Sequence, residues 1–295
     1  MEPLTTNLSR CPNLSRYAGS GREADGRETR SGEGEGDRVG TLYLLPGDPI
    51  TLTLGAAHHR PLPLPRERCT AVIPTLNEAA TIAAVIASLP RDIVQEIIVA
   101  DSFSRDGTPA IASAAGARVV SLTERGYGRA CAAGAAAADP DCGIILFLDG
   151  DGADRADLAA QLIAPIQSGT HDFVIGSRVR GDREPGSMSW HQVLAGRLAG
   201  WIMSLLYGVR YTDMCAFRAI RRDALQRLAM RETTYGWNIE MQMLAARAGL
   251  RILELPVPYR CRAGGSSKVA GTLSGSIKAA WKIVLTVARV ATTAR

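Results

Sequence analysis

From Cys69 onward the chain alternates between short, largely apolar runs and longer stretches with helical spacing. TAVIP (Thr70–Pro74), EIIVA (Glu96–Ala100), RVVSL (Arg118–Leu122), GIILFL (Gly143–Leu148) and DFVIG (Asp172–Gly176) have the pattern of strands buried on both faces. Between and after them, Ala79–Leu89, Pro109–Ala115, Tyr127–Ala138, Arg155–Gln167 and Trp190–Tyr207 read as helices. Gly116 and Gly249 stand where helices should stop, because glycine accepts the left-handed conformation of a C-terminal cap. The alternation predicts one α/β domain with a mostly parallel central sheet.

The N-terminal part has a different texture. Gly21–Arg38, GREADGRETRSGEGEGDR, has Ala24 as its only apolar residue and cannot bury enough surface to offset its ordering entropy. Its GEGEG run is not a nucleotide loop, since no strand precedes it and no helix follows. Thr41–Leu54 has some β character, and Pro61, Pro63 and Pro65 suggest an extended linker. We therefore expect a disordered or weakly ordered extension over 1–66 and a folded body over 67–272. At the end, Leu273, Ile277, Trp281, Val284 and Ala288 recur at helical spacing beside Lys278, Lys282 and Arg289. This predicts an amphipathic basic helix over 273–295.

Composition narrows the classes. The 295 residues are 46% hydrophobic, which is ordinary for a globular protein and argues against wholesale disorder. Six cysteines without a CxxC pair suit neither a disulfide scaffold nor a zinc ribbon, so a reducing, cytoplasmic setting is expected. The net charge of +5 suits an anionic lipid or a phosphate-bearing substrate. Aromatics at 5% and no basic run with interleaved aromatics argue against nucleic acid. The longest apolar candidates, Leu198–Leu206 and Ile283–Ala288, fall far short of the ~20 residues that span a bilayer. MEPLTTNLSR lacks the apolar core of a secretory signal.

In a parallel sheet, ligands bind at the carboxyl ends of the strands, and the unusual residues lie there. Asp149-Gly150-Asp151 follows the most apolar strand. A turn at Gly150 lets both carboxylates approach one hard cation, Mg²⁺ or Mn²⁺, which bridges to a diphosphate. The competing reading is a plain Asp-Gly turn with Asp154 as helix cap. Asp101 ends the second strand and suits a base or ribose contact, whereas Asp106 and Thr108 suit a capping turn. Gly126-Tyr127-Gly128-Arg129 lacks the third glycine of a dinucleotide fingerprint.

The succession VIPTLNEAATIAAVIASLP, IIVADSFSRDGT, GYGRACAAG, ILFLDGD and FVIGSRVRG resembles the inverting family 2 glycosyltransferases. YTDMCAFRAIRRDAL, TYGWNIEMQ and YRCRAGGSSKV resemble the subgroup of dolichyl- and polyprenyl-phosphate sugar synthases. Each motif is loose, but eight in order over roughly Cys69–Lys282 are specific. The resemblance implies a Rossmann-like glycosyltransferase-A fold. Pro74, Asn77 and Glu78 match the first nucleotide-contacting loop, Asp101 the acid near the base, and Arg129 the next nucleotide-side turn. Asp149, Gly150 and Asp151 match the DxD that holds metal and diphosphate. Ser177 and Arg178, with Arg180 nearby, match a basic loop facing the acceptor phosphate. Glu240 matches an acid near the acceptor, and Arg262, Gly265, Ser267 and Lys268 a late phosphate-covering segment. Two departures stand out: the acid pair at the second strand is Asp101-Ser102, and Cys215-Ala216 replaces a glycine-containing pair before Phe217.

Together these imply a metal-dependent inverting transfer of a hexose from a UDP- or GDP-sugar, with UDP favoured by the single carboxylate at the base site. The acceptor implied is polyprenyl phosphate, met at the cytoplasmic face of a membrane. An anionic phosphate needs little base catalysis and would be oriented by Arg178 and Arg180; a hydroxyl would need a base, for which Glu240 is the candidate. Rivals are a soluble phosphorylated or hydroxyl acceptor, and a non-catalytic nucleotide-sugar-binding or membrane-docking subunit. A nucleotidylyltransferase is disfavoured because Pro74–Glu78 replaces its glycine-rich loop.

Overall fold

The computed structural model describes residues 67–264, 285–287, 289 and 290. The expected extension over 1–66, Gly265, Ser267 and Lys268 lie outside them. So does the expected C-terminal helix, apart from 285–287, 289 and 290, which are helical.

The body opens with three strand–helix pairs: β1 (Arg68–Thr75), α1 (Ile82–Ser88), β2 (Val94–Asp101), α2 (Thr108–Ala114), β3 (Arg118–Ser121) and α3 (Tyr127–Ala137). β4 (Cys142–Phe147) follows, then a short 3₁₀ turn at Ala156–Leu158, α4 (Ala159–Gln167), β5 (Phe173–Ser177) and α5 (Trp190–Tyr207). The chain continues through β6 (Arg218–Arg221), α6 (Arg222–Leu228), α7 (Trp237–Arg247) and β7 (Ile252–Pro256). All five predicted strands and the five predicted helices are present. Gly116 and Gly249 take φ of +87° and +67° at the helix ends, as expected.

The seven strands form one sheet in the order β3-β2-β1-β4-β6-β5-β7. β1 pairs in parallel with β2 on one side and β4 on the other. β6 is antiparallel to both β4 and β5. The sequence pattern does not reveal β6, because RAIR is only four residues long and begins and ends with arginine. Arg218 is nevertheless fully buried.

The core is the centre of the sheet and the helix faces against it: Val72, Ile73, Ile98, Val99, Ile144, Ile145 and Leu146 are inaccessible to solvent. α3, sequence YGRACAAGAAA, is built of small residues so that it can press on β1 and β2. A Cβ at Gly134 would lie 2.4 Å from Val72 Cγ1. Because connections leave β1 toward β2 and reach β4 on the other side, the carboxyl ends of these three strands open onto one crevice.

Candidate active site

The loops after β1 and β2 are stitched into one rim. The Asn77 N–H donates to Ser104 Oγ (2.7 Å), and Asn77 Oδ1 accepts from the Arg105 N–H (2.9 Å). The Glu78 N–H donates to Thr108 Oγ1 (2.9 Å) and the Ala79 N–H to Asp106 Oδ2 (3.0 Å). Asn77 sits at φ 55°, a left-handed conformation that asparagine tolerates. Asp106 also accepts from the Thr108 N–H at the start of α2, the turn-building role expected of it. Asp101 is buried, and its carboxylate accepts from Thr75 Oγ1, Ser104 Oγ and the Ser104 N–H. Its hydrogen bonding is thus directed to the rim itself. Phe103, which sequence reasoning passed over, is held at φ 68° with its ring 49% exposed and the Arg105 guanidinium 5.4 Å above it.

β4 delivers Asp149-Gly150-Asp151 to the middle of the crevice. Gly150 is packed against Thr75, Ile73 and Glu78, and its carbonyl accepts from Thr81 Oγ1 (2.7 Å), which fixes the turn. Asp151 is 2% exposed; its Oδ1 accepts from the Ala153 N–H (2.9 Å). Its Oδ2 lies 3.0 Å from Arg262 Nη1, close enough for an ion pair, yet it accepts no hydrogen bond of proper geometry. Asp154 is not the helix cap of the competing reading. Its Oδ2 turns back to accept from the Asp149 N–H (3.0 Å), so a second buried carboxyl, beside the half-buried Asp149, braces the turn. Crowding of acids shows in their proton affinity. Burial, then the neighbouring Asp151, pushes Asp149 up to about 6, although Arg262, Arg178 and the Tyr127 hydroxyl oppose this. Burial, then Asp149 and Asp151, pushes Asp154 up to about 8.

Such a group is short of positive charge, and Arg178 answers from one side. Its Nε and Nη2 form a two-pronged pair with Asp213 (2.7 and 2.8 Å), and its backbone N–H donates to the same carboxylate (2.9 Å). Its guanidinium lies 5.0 Å from the centre of the Tyr259 ring. Burial alone would raise the Asp213 carboxyl, but Arg178 and backbone N–H donors hold it below its ordinary value. Glu254 on β7 accepts from the Thr212 and Asp213 N–H groups and pairs with Arg180 at 3.8 Å. Ser177, fully buried, shares a hydrogen bond with Thr212 Oγ1 (2.7 Å). Arg178, Ser177 and Arg180 are therefore one network, with Arg180 48% exposed at its outer end. Asp213, Tyr259 and Asp154 are members without a site role in the sequence reading: Asp213 and Tyr259 lie within the quoted motifs YTDMCAFRAIRRDAL and YRCRAGGSSKV, and Asp154 reads as a helix cap.

Arg129 opens α3. Its N–H donates to the Thr233 carbonyl (2.9 Å), its guanidinium pairs with Glu124, and its Nε is buried without a hydrogen-bond partner. Gly126 and Gly128 are required by this contact, since Cβ atoms there would meet the carbonyl oxygens of Thr233 and Glu232 at 2.5 and 2.4 Å. Arg262 belongs to a segment lying on the DGD turn: the Ala263 N–H donates to the Asp151 carbonyl (3.2 Å) and the Arg260 N–H to that of Ala153 (3.1 Å).

Glu240, the candidate base for a hydroxyl acceptor, is engaged by the protein's own groups. It is 2% exposed; Oε2 accepts from the Arg231 and Glu232 N–H groups (3.0 and 2.7 Å), and Oε1 pairs with Arg289 (2.8 Å). Both oxygens are committed to tying α7, the 231–232 segment and Arg289 together.

Comparisons with known proteins identify the family. Residues 70–229 match the model of glycosyl transferase family 2. The chain belongs to that family. It is similar to an uncharacterized glycosyltransferase of Mycobacterium tuberculosis H37Rv, 34% identical over 73% of this chain and 97% of the relative. It is also similar to the undecaprenyl-phosphate mannosyltransferase of Micrococcus luteus, 31% identical over 70% of this chain and 90% of the relative. Among solved structures, glucosyl-3-phosphoglycerate synthase of M. tuberculosis with Mn²⁺ and UDP-glucose superposes with a TM-score of 0.61 at 26% identity, covering 78% of this chain and 80% of that one. This family 2 glycosyltransferase has the expected α/β fold with a mostly parallel sheet. Among its described residues, no helix is long and apolar enough to cross a membrane.

Proposed function

We propose that the protein transfers a hexose from a nucleoside-diphosphate sugar to polyprenyl phosphate, with inversion and with a divalent cation. The observation that carries the reading is the carboxylate group at the end of β4. Asp151 presents a buried oxygen without a hydrogen bond, beside a carboxyl whose proton affinity is raised by burial and by Asp151 itself. A cation suits that donor set. Among the described residues no three acidic, histidine or cysteine side chains form a metal cage by themselves. This is the situation of Mg²⁺ or Mn²⁺ held by one or two carboxylates and completed by substrate phosphates. Asp149 and Asp151 would hold the ion, which when bound neutralises charge developing on the leaving diphosphate. The Mn²⁺ and UDP-glucose in the similar solved structure support both metal and donor, and favour UDP.

The chain's own residues supply the rest. Pro74, Asn77 and Glu78 with the Asp101-braced loop form a rigid rim for the nucleoside, stitched before the donor arrives. Arg129 brings a guanidinium to the nucleotide side. Arg262, already within 3.0 Å of Asp151, adds positive charge where the diphosphate leaves. Ser267 and Lys268 follow it in sequence, and we assign them to the same phosphate-covering segment. Arg178 spends two of its five N–H donors on Asp213, which fixes the remaining ones for an acceptor phosphate; Arg180 stands at the outer end of that path. A phosphate acceptor is already an anion and attacks without a base. The engagement of Glu240 therefore favours it over a hydroxyl. We also assign 67–272 to the catalytic body, and 1–66 and 273–295 to extensions outside the chemistry.

The test is transfer of labelled sugar from UDP-glucose and GDP-mannose, with Mg²⁺ or Mn²⁺, to polyprenyl phosphate. Organic-extractable label that disappears in Asp151→Ala is expected. Donor consumption with all label in water would replace the lipid by a soluble phosphorylated acceptor, the reading favoured by the glucosyl-3-phosphoglycerate synthase likeness. No donor consumption by wild type would leave a binding subunit.

A further inference from the structure

α5 is apolar on two faces, which a helix lying on the outside of a soluble domain does not need. One face is explained by packing. Ala199 and Met203 are buried, and a Cβ at Gly200 would sit 1.9 Å from the Tyr211 carbonyl oxygen. The helix is thereby pressed onto the Tyr211–Asp213 segment, which holds Arg178. The other face is not explained by packing. Leu194, Leu198, Trp201 and Leu205 are 57, 54, 65 and 73% exposed, and Leu206 is 47% exposed. Their spacing of four, three and four residues aligns the first four in one stripe along the helix.

We propose that this outer face of α5 docks on an anionic lipid bilayer. Three observations choose that occupant. The first is charge: Pro185–Thr212 contains no aspartate or glutamate, while Arg197 and Arg210 are exposed on and beyond the helix. The second is size: five side chains of one helix compare with the ~20–30 residues that each partner contributes to a standard protein interface. A bilayer has no such requirement, and a Leu-rich stripe with a Trp is what enters the headgroup–acyl boundary. The third is continuity. The inner face touches the segment that carries Asp213, and the loop from Ser177 to Arg180 leads into α5, so docking sets the Arg178 network at headgroup level. The proposal deepens the lipid-acceptor reading, and its test reads binding separately from transfer.

The full chain is sedimented with vesicles of phosphatidylcholine alone and of equimolar phosphatidylcholine and phosphatidylglycerol. Wild type is expected to bind the anionic vesicles, and the L198E/L205E variant to lose more than about tenfold in affinity while hydrolysing donor at an unchanged rate. Should that variant fold poorly, brominated phosphatidylcholine in the same vesicles must quench wild type more than Trp201→Phe. Absence of vesicle binding, or binding with Trp201 unquenched, overturns the proposal. So does a wild-type dimer that L198E/L205E converts to a monomer, which would make the face a subunit contact. Vesicle binding through Trp201 with no transfer to polyprenyl phosphate would leave the docking face standing and remove the acceptor assignment.

Discussion

Asp213→Ala tests the electrostatic frame of the site most directly. In the wild type, Arg178 is 17% and Asp213 2% exposed, so neither charge is well screened by water. The carboxylate takes three hydrogen bonds from Arg178 and one from the Met214 N–H. Removing it leaves a buried guanidinium facing Asp149 and Asp154, whose carboxyls already bind protons more tightly than usual. Breaking one side of a buried pair costs about 3–5 kcal/mol. For an ordered body of this size that is a fall in Tm of about 6–20 °C, at about 2–4 °C per kcal/mol. Arg178→Met in the same background removes the stranded charge, so the double variant should be more stable than the sum of the single losses predicts. A coupling of at least about 1 kcal/mol in urea denaturation is expected. Strict additivity of the two losses, within about 0.5 kcal/mol, would refute the claim that Asp213 holds Arg178.

Further outcomes follow from the same contacts. Asp149 and Asp154 have raised folded-state values, so they stabilise the metal-free protein fully below about pH 4. That stability is lost as pH rises through about 6 and about 8. Metal-free Tm should therefore decline between about pH 4 and about pH 8, most steeply below about 6 where both groups contribute, while the increment given by Mn²⁺ grows; a flat metal-free profile counts against the carboxylate group. Arg262→Ala removes a cation that competes for Asp151, so Mn²⁺ affinity without donor should rise about fivefold, equivalent to ~1 kcal/mol, while transfer slows; calorimetric titration and initial rates read the two effects. Glu240→Gln should lower stability by about 1–3 kcal/mol, by thermal denaturation, yet keep most transfer activity and the shape of its pH profile. Loss of the acidic limb of that profile, with a large fall in rate, would restore Glu240 as a base.

The alternation of apolar runs and helical spacing determined the α/β class, the first five strands and the positions of the DGD turn and the β1 and β2 loops. These features depend on neighbours in sequence: a strand buried on both faces must be apolar along its length, and it must end where polar residues resume. The sequence also carried the family, through the order of its motifs. The tertiary structure decided which charges meet. Asp154 reads locally as a helix cap, yet across the turn it braces Asp149. Glu240 reads as an acid near the acceptor, but Arg289, far along the chain, and the 231–232 backbone engage both its oxygens. β6 was hidden because its arginines look solvent-bound, whereas Arg218 is buried and bonded to the carbonyls of Cys215 and Asn238. The same holds for α5: its sequence leaves open which apolar residues pack on the core, and the fold shows Leu198, Trp201 and Leu205 facing outward. Partner choice for a charge, and the side of a helix left uncovered, depend on distances between segments remote in sequence, and local patterns do not encode those distances.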